Sequence, residues 1–407
     1  MARRRTVTPA ETVITPGPRG SPSPLRIRTI ESVSRRSYRA ALVALVVASS
    51  SIVVGATVRD HGSREKAIPA GRWVSVKPPF GYAPSPVRKY VSTDEMNVVS
   101  RVQTMIDVME STLVSPFLPN HVQWYIEPSV RKSPTFNLQR EVLYALDRVI
   151  ESKFAFVPDW PVSVIIARSQ DFIRKSLQNL GCVPNLSRSN GVVLMGASVC
   201  DRHIVISNIT GFLFLLRADQ VITRSMERRK EPSMAGVPYR VVMRNTAGLA
   251  HEYAHIWRAA AQGGRVRTDE PAWFSEGFAE FWSGVATVLQ FPSRAPYLVH
   301  HIIRLRDFAD WSTMCPYPLS HYRSGTPLAN GCEYFVGAIA LEYLYSRYSS
   351  LAITEDAFTR AFEYDSFEDG FKATYGITLS QFEKEADGYI DNLRRVEAYT
   401  RAAKRPR

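Results

Sequence analysis

The chain has 407 residues, 45% hydrophobic and 22% charged, which is globular composition and enough length for one large core or a core plus a small second unit. Its formal charge of +13 invites nucleic acid, but residues 1–39 carry nine arginines against Glu11 and Glu31, a net of +7, and residues 394–407 carry five arginines and Lys404 against Glu397, a net of +5. Taking those 12 charges from 13 leaves the 354 residues between at about +1, and basic arms on a neutral body with no recognisable binding module argue against a nucleic-acid partner.

Residues 1–39 are rich in Arg, Ser, Pro and Thr and poor in large apolar residues, so a disordered arm is expected. Residues 40–58, AALVALVVASSSIVVGATV, are nineteen positions without a charge, near the length that crosses a bilayer as a helix. Arg35, Arg36 and Arg39 stand just before them. The positive-inside bias then keeps the N-terminus in the cytoplasm and exports the rest of the chain. The expectation is a transmembrane signal anchor at 40–58, with the main domain periplasmic or extracellular. Gly55 and Ala56 also offer a cleavage site, which would make the protein secreted; a buried core helix and an organellar transit peptide are the remaining readings. Residues 59–91 hold Pro69, Pro78, Pro79, Pro84 and Pro86 and read as an extended linker. Residues 92–398 read as one domain without internal repeats, and 399–407 as a basic tail.

Within the domain, Met96, Val99, Val102, Ile106 and Met109 give helical spacing over 94–113. HVQWYIE (121–127) alternates as a strand does. Leu138, Val142, Leu146 and Ile150 form one helical stripe over 137–153. WPVSVIIA (160–167) is β-branched and bounded by proline, as a buried strand is. Residues 169–181 read as a helix ending at Gly181, and 191–207 as two short strands around a turn. The rest is mainly helical. Strands first and helices later indicate an α+β fold: a small mixed sheet with an edge strand, packed on a mainly helical body. Cys182 and Cys200 are 18 apart, and Cys315 and Cys332 are 17 apart. An even count suits two disulfides, though four cysteines allow three pairings.

HEYAH, residues 251–255, lies in a proline-free, alanine-rich stretch, 245–264, that closes on Gly263 and Gly264. Positions four apart share a helix face, so His251 and His255 can direct their imidazoles at one ion, as zinc requires. Glu252 points about 100° around the helix, where it can take a proton from a water beside the metal. The next helix, expected over 268–289 with Asp269 as N-cap, carries Glu276 and Glu280 on one face. Glu276 can complete a His₂Glu set and leave a fourth position open, and Glu280 can accept the Nδ1–H of a ligating histidine. Both sit among Trp273, Phe274, Phe278, Phe281 and Trp282, surroundings in which an uncompensated carboxylate is expensive.

HExxH, 20 further residues and then a glutamate within WFSEGFAEF resemble the gluzincin metallopeptidases, the group that includes thermolysin and the zinc aminopeptidases. The resemblance implies a zinc-dependent peptidase acting on peptides or proteins of the cell envelope or extracellular space. His251, His255 and Glu276 would be its ligands, Glu252 its general base and Glu280 the partner of a ligand histidine. Tyr334, at the opening of a helix 58 residues beyond Glu276, would donate to the tetrahedral oxyanion, with His321 and Tyr322 as weaker candidates. FKATYGITLSQFEKEADGYIDNL (371–393) looks like the closing helices of such proteins, and Thr378 and Gln381 form a capping box there. Substrate backbone would add along an edge strand near 194–202. The sequence lacks the G-x-M-E-N motif of the aminopeptidases, so no glutamate is visible to hold a free N-terminus. RSMERRKEPS (224–233) reads as a solvated loop beside the site. A catalytically inactive binding or scaffold module of the same fold is the reading from another class; the intact Glu252 speaks for an enzyme.

Overall fold

The computed structural model describes residues 68–76, 87–112, 121–154, 161–182, 195–196, 204–208, 239–261, 269–290, 296–307, 311–323, 331–348 and 363–404. In chain order these form β1 (Gly71–Val76), β2 (Val87–Ser92), α1 (Thr93–Thr112), β3 (Val122–Ile126), α2 (Pro134–Phe154), β4 (Val162–Ala167), α3 (Gln170–Asn179), β5 (Met195–Gly196) and β6 (Ile204–Asn208). The helical part comprises α4 (Tyr239–Ala261), α5 (Ala272–Gln290), α6 (Tyr297–Asp307), α7 (Trp311–Met314), a 3₁₀ turn (Leu319–Tyr322), α8 (Cys332–Tyr348), α9 (Phe367–Tyr375) and α10 (Leu379–Lys404). The fold is α+β, as the element order led one to expect.

The larger sheet has the order β3-β4-β6-β5. β3, β4 and β6 run parallel, with α2 and α3 between successive strands, because parallel neighbours need a crossover. β5 pairs antiparallel to β6 through Met195↔Ser207 and forms one edge, within the segment expected to supply an edge strand. β4 is buried at all six positions and splits its side chains by the two-residue period of a strand. Val162, Val164 and Ile166 enter the main core, while Ile165 and Ala167 meet Ile173, Leu177 and Cys182 behind α3. Ser169 caps α3 by accepting from the Phe172 amide, and Gly181 takes the left-handed conformation (φ 66°) just past its end.

α4 packs against β6, α2 and α5, and α5 against α8, so the helix carrying HEYAH lies between sheet and helical body. α5 and α8 meet at two glycines. A Cβ on Gly277 would stand 2.3 Å from the Gly337 carbonyl carbon, and one on Gly337 would stand 2.1 Å from the Trp273 carbonyl oxygen. Only residues without side chains let the α5 and α8 backbones touch in this way.

Several expectations change. Residues 71–76 and 87–92 form an antiparallel two-stranded sheet, with Gly71↔Ser92 and Val76↔Val87 as its end pairs, where most of this stretch was expected to be linker. Lys89, Val91 and Ser92 of β2 are buried, which a solvated linker would not allow. Residues 399–404 continue α10 instead of forming a tail, and Thr400 is 2% exposed. The membrane anchor, and the periplasmic or extracellular placement drawn from it, are corrected: among the described residues no helix is long and apolar enough to cross a membrane. α5, the most apolar of the long helices, carries Glu276 and Glu280 and buries its apolar side chains against its neighbours. Residues 1–39 and 40–58 themselves, Gly263, Gly264 and 224–233 lie outside the described residues. Cys315 and Cys332 are joined as a disulfide; Cys182 is also disulfide-bonded, and Cys200 lies outside the described residues.

Candidate metal centre

Two helices build the site. α4 is proline-free and presents His251 and His255 one turn apart; α5 begins after Pro271 and brings Glu276 to them. Nε2 of His251 and Nε2 of His255 are 3.2 Å apart, and each is 3.2 Å from the same Oε2 of Glu276. Three donors on a tetrahedron with bonds of about 2.0–2.1 Å stand roughly 3.3–3.4 Å from one another. The triangle therefore matches one face of a zinc tetrahedron with its fourth apex open. Among the described residues this is the one cluster of three His, Cys, Asp or Glu side chains able to hold an ion, with its ligand atoms all within 4.8 Å of one another.

The electrostatics suit a cation. Burial works against charge on Glu276, but hydrogen bonds from both histidines outweigh it and hold the carboxyl well below the usual carboxylate range. Glu276 is thus an anion at neutral pH. Burial likewise disfavours charge on His251, yet its hydrogen bonds to Glu276 and Glu280 raise it to about 10. Oε2 of Glu280 is 3.4 Å from Nδ1 of His251, where a carboxylate fixes the tautomer that leaves Nε2 free to ligate. A cation that takes the Nε2 lone pair must displace a proton from this histidine.

Tyr334, in the first turn of α8, is brought to His251 and Glu276. Its ring stacks on His251 at 5.4 Å between centroids, and its hydroxyl is hydrogen-bonded to Glu276. Burial, with the carboxylates of Glu276, Glu333 and Glu252, raises its phenol far above the ordinary value, so it keeps its proton and can donate. Glu252 is near enough to act electrostatically on both His251 and Tyr334. The structure does not bring His321 and Tyr322 into this group: Tyr322 is 1% exposed, and His321 stacks on Tyr317 at 4.1 Å. The Cys315–Cys332 bond ties down the first residue of α8, two positions before Tyr334.

Other side chains hold the two helices in place, and the motif alone did not reveal them. Tyr253, the variable residue inside HEYAH, is fully buried on the far face of α4; its hydroxyl donates to Asp147 of α2 and lies 2.8 Å from Nε2 of His121. Arg258, two turns beyond His251, pairs with Glu270 just before α5, and its guanidinium lies over the rings of Phe274 and Phe278. Trp273 Nε1 donates to Glu383 at 3.0 Å, and Arg323 donates to the same carboxylate. Asp269 is not the N-cap of α5. The helix starts at Ala272, and the Asp269 carboxylate accepts instead from the Phe367 amide at 2.6 Å, joining α5 to α9. The spacing of Arg258 three residues past His255 was a readable signal, since positions three apart share a helix face. The partners of Tyr253 and Trp273 lie more than 100 residues away and leave no local trace.

No family model matches the chain, and neither a curated protein nor a solved structure does.

Proposed function

We propose that the chain is a zinc-dependent peptidase of the gluzincin type, hydrolysing peptide bonds in peptides or proteins. The observation that carries this reading is the 3.2 Å triangle of His251, His255 and Glu276, with the Tyr334 hydroxyl hydrogen-bonded to Glu276. A zinc ion held by the three ligands would polarise the scissile carbonyl and lower the pKa of a water beside it. Glu252 takes the proton of the attacking water and passes it to the leaving amine. Tyr334, protonated and beside Glu276, donates to the oxyanion that forms on the carbonyl oxygen. Glu280 holds the His251 ring with Nδ1 protonated, so that Nε2 stays a ligand throughout. Substrate backbone lies along β5, the edge strand of the larger sheet among the described residues.

The test is metal content by elemental mass spectrometry on the full chain, for wild type, His255→Ala and Glu252→Ala, followed by cleavage of a peptide library. One zinc per chain in wild type and Glu252→Ala, none in His255→Ala, and cleavage by wild type alone is the expected result. A folded wild-type chain that stays empty when offered zinc rejects the reading. A zinc-loaded wild type that cleaves nothing leaves a binding module in its place.

A further inference from the structure

A second network of charged side chains begins close to the metal centre and runs away from it through the core. Arg304 of α6 is paired with Glu342 of α8, and both are buried, at 5% and 0% exposure. Glu342 also accepts from the Tyr297 hydroxyl at 2.6 Å and lies 3.0 Å from Nδ1 of His301. Nε2 of His301 is 2.9 Å from Oε1 of Glu95, and Glu95 is paired with Lys89 of β2. Each ring nitrogen of His301 faces a carboxylate, so both carry protons and the ring is a cation. The charges therefore alternate: Lys89 plus, Glu95 minus, His301 plus, Glu342 minus, Arg304 plus.

Stability does not account for such a chain. Well-packed apolar residues of similar volume serve a core as well or better than buried ion pairs do. Glu342 meets Arg304 at Nη2, and Tyr297 also hydrogen-bonds to the guanidinium. α5 and α6 meet where Gly284 leaves space for the ring of His300; a Cβ there would stand 2.6 Å from Nε2. Glu280 lies one turn from Gly284 on α5, and Arg304 one turn from His300 on α6. The Glu280 carboxylate is among the anions that act on the Arg304 guanidinium. Glu280 itself needs such a cation: its side chain is 36% exposed, it neighbours the like charge of Glu276, and its hold on His251 is a single 3.4 Å contact.

We propose that Arg304 is a positioning residue for the metal centre, its buried charge, locked by Glu342, keeping the Glu280 carboxylate against Nδ1 of His251. This rests on the reading of His251, His255 and Glu276 as a zinc site. With Arg304 removed, Glu276 repels Glu280 toward solvent, the tautomer of His251 is no longer fixed, and zinc binds more weakly.

A double-mutant cycle on the full chain tests it, with zinc affinity read by competition against a chromophoric chelator and folding checked by circular dichroism. Glu280→Gln is expected to weaken zinc by 10–100-fold, the usual range for loss of a ligand's outer partner. Arg304→Met is expected to weaken zinc by about tenfold in the wild-type background and by less than about twofold when combined with Glu280→Gln, because the two then share one effect. Arg304→Lys, which keeps the charge, should stay within about threefold of wild type. If Arg304→Met does not fold, Glu342→Gln, which releases Arg304 without removing it, is carried through the same cycle with the same expectation. Equal effects in both backgrounds, or none in either, overturn the proposal. A wild-type chain that takes no zinc overturns the metal centre and this inference together, whereas zinc loading with additive effects overturns this inference alone.

Discussion

Two clusters in this protein are made of the same residue types and do different things. His251, His255 and Glu276 turn their donor atoms toward one point, 3.2 Å apart pairwise, and are partly open to solvent. Glu95, His301 and Glu342 are strung in a line through the core, fully buried, with Lys89 and Arg304 closing the two ends. The first cluster gathers lone pairs without a fixed cation at their centre; the second interleaves every anion with a cation. Convergence with a charge left open suits a cation, whereas alternation along a line makes an internal network. Residue composition alone does not separate the two.

The largest expected effect breaks the comparison at its first term. His255→Ala should take zinc from one ion per chain to none. His301→Leu should keep the ion, with its affinity lowered by no more than about tenfold through Arg304 and Glu280. Loss of zinc in both would mean that the buried line is part of the ligand set and that the distinction fails.

Stability should respond in the opposite sense. In the zinc-free protein His301→Leu strands Glu95 and Glu342 without their shared cation, and breaking a buried pair in this way costs about 3–5 kcal/mol. His255→Ala in a partly open site should cost about 1 kcal/mol or less. Urea denaturation of both variants decides, and equal costs would show that the metal site is also a structural cluster.

The two regions also differ in how much the sequence disclosed. The meeting of His251, His255 and Glu276 was legible because its logic is local: two histidines one turn apart, a glutamate between them, and a second glutamate on the following helix. The strands and helices from residue 94 to 208 were legible for the same reason, through period-2 and period-3.6 patterns. The capping box was too, and Thr378 does accept from the Gln381 amide at 3.1 Å. The buried line left no such pattern. Glu95 and His301 are 206 positions apart, and each alone reads as a polar residue on a helix. β1 and β2 were hidden by the prolines around them, and their pairing is fixed by burial against α1 and α10, which no local signal carries. Asp269 has the right residue type for a cap before α5, but the amide of Phe367 takes its carboxylate instead.

Acid should reveal the line in a third way. Burial pushes the Glu342 carboxyl up, but Arg304 and His301 outweigh it and bring it from 4.5 to about 2. Because the folded pKa lies below the unfolded one, the stabilisation is full above about pH 4.5 and is lost as the pH falls toward 2. It amounts to about 3 kcal/mol at most. Denaturation midpoints followed from pH 5 to pH 2 should fall in wild type and fall less steeply in Glu342→Gln. An unchanged slope in that variant would assign the acid sensitivity to other carboxylates.

The smallest expected effect lies at the joint between the two regions. Gly284 gives its side-chain space to the fully buried ring of His300, so Gly284→Ala must push that ring, and with it α6, away from α5. His300 is the end of a side chain and not backbone, so it can yield by some tenths of an ångström, and overpacking of this kind costs about 1–3 kcal/mol. The displaced helix carries Tyr297, His301 and Arg304, all bound to Glu342 of α8, so the line moves as a unit while α5 keeps Glu276 against the histidines. Zinc affinity should then drop by only a few-fold, the share that passes through Arg304 and Glu280, while the denaturation midpoint falls clearly. A zinc affinity unchanged beside a lowered midpoint would cut the line off from the metal site and leave it purely internal. A loss of zinc as large as that of His255→Ala would mean that the spacing of α5 and α6, more than the packing of α4 on α5, sets where Glu276 stands.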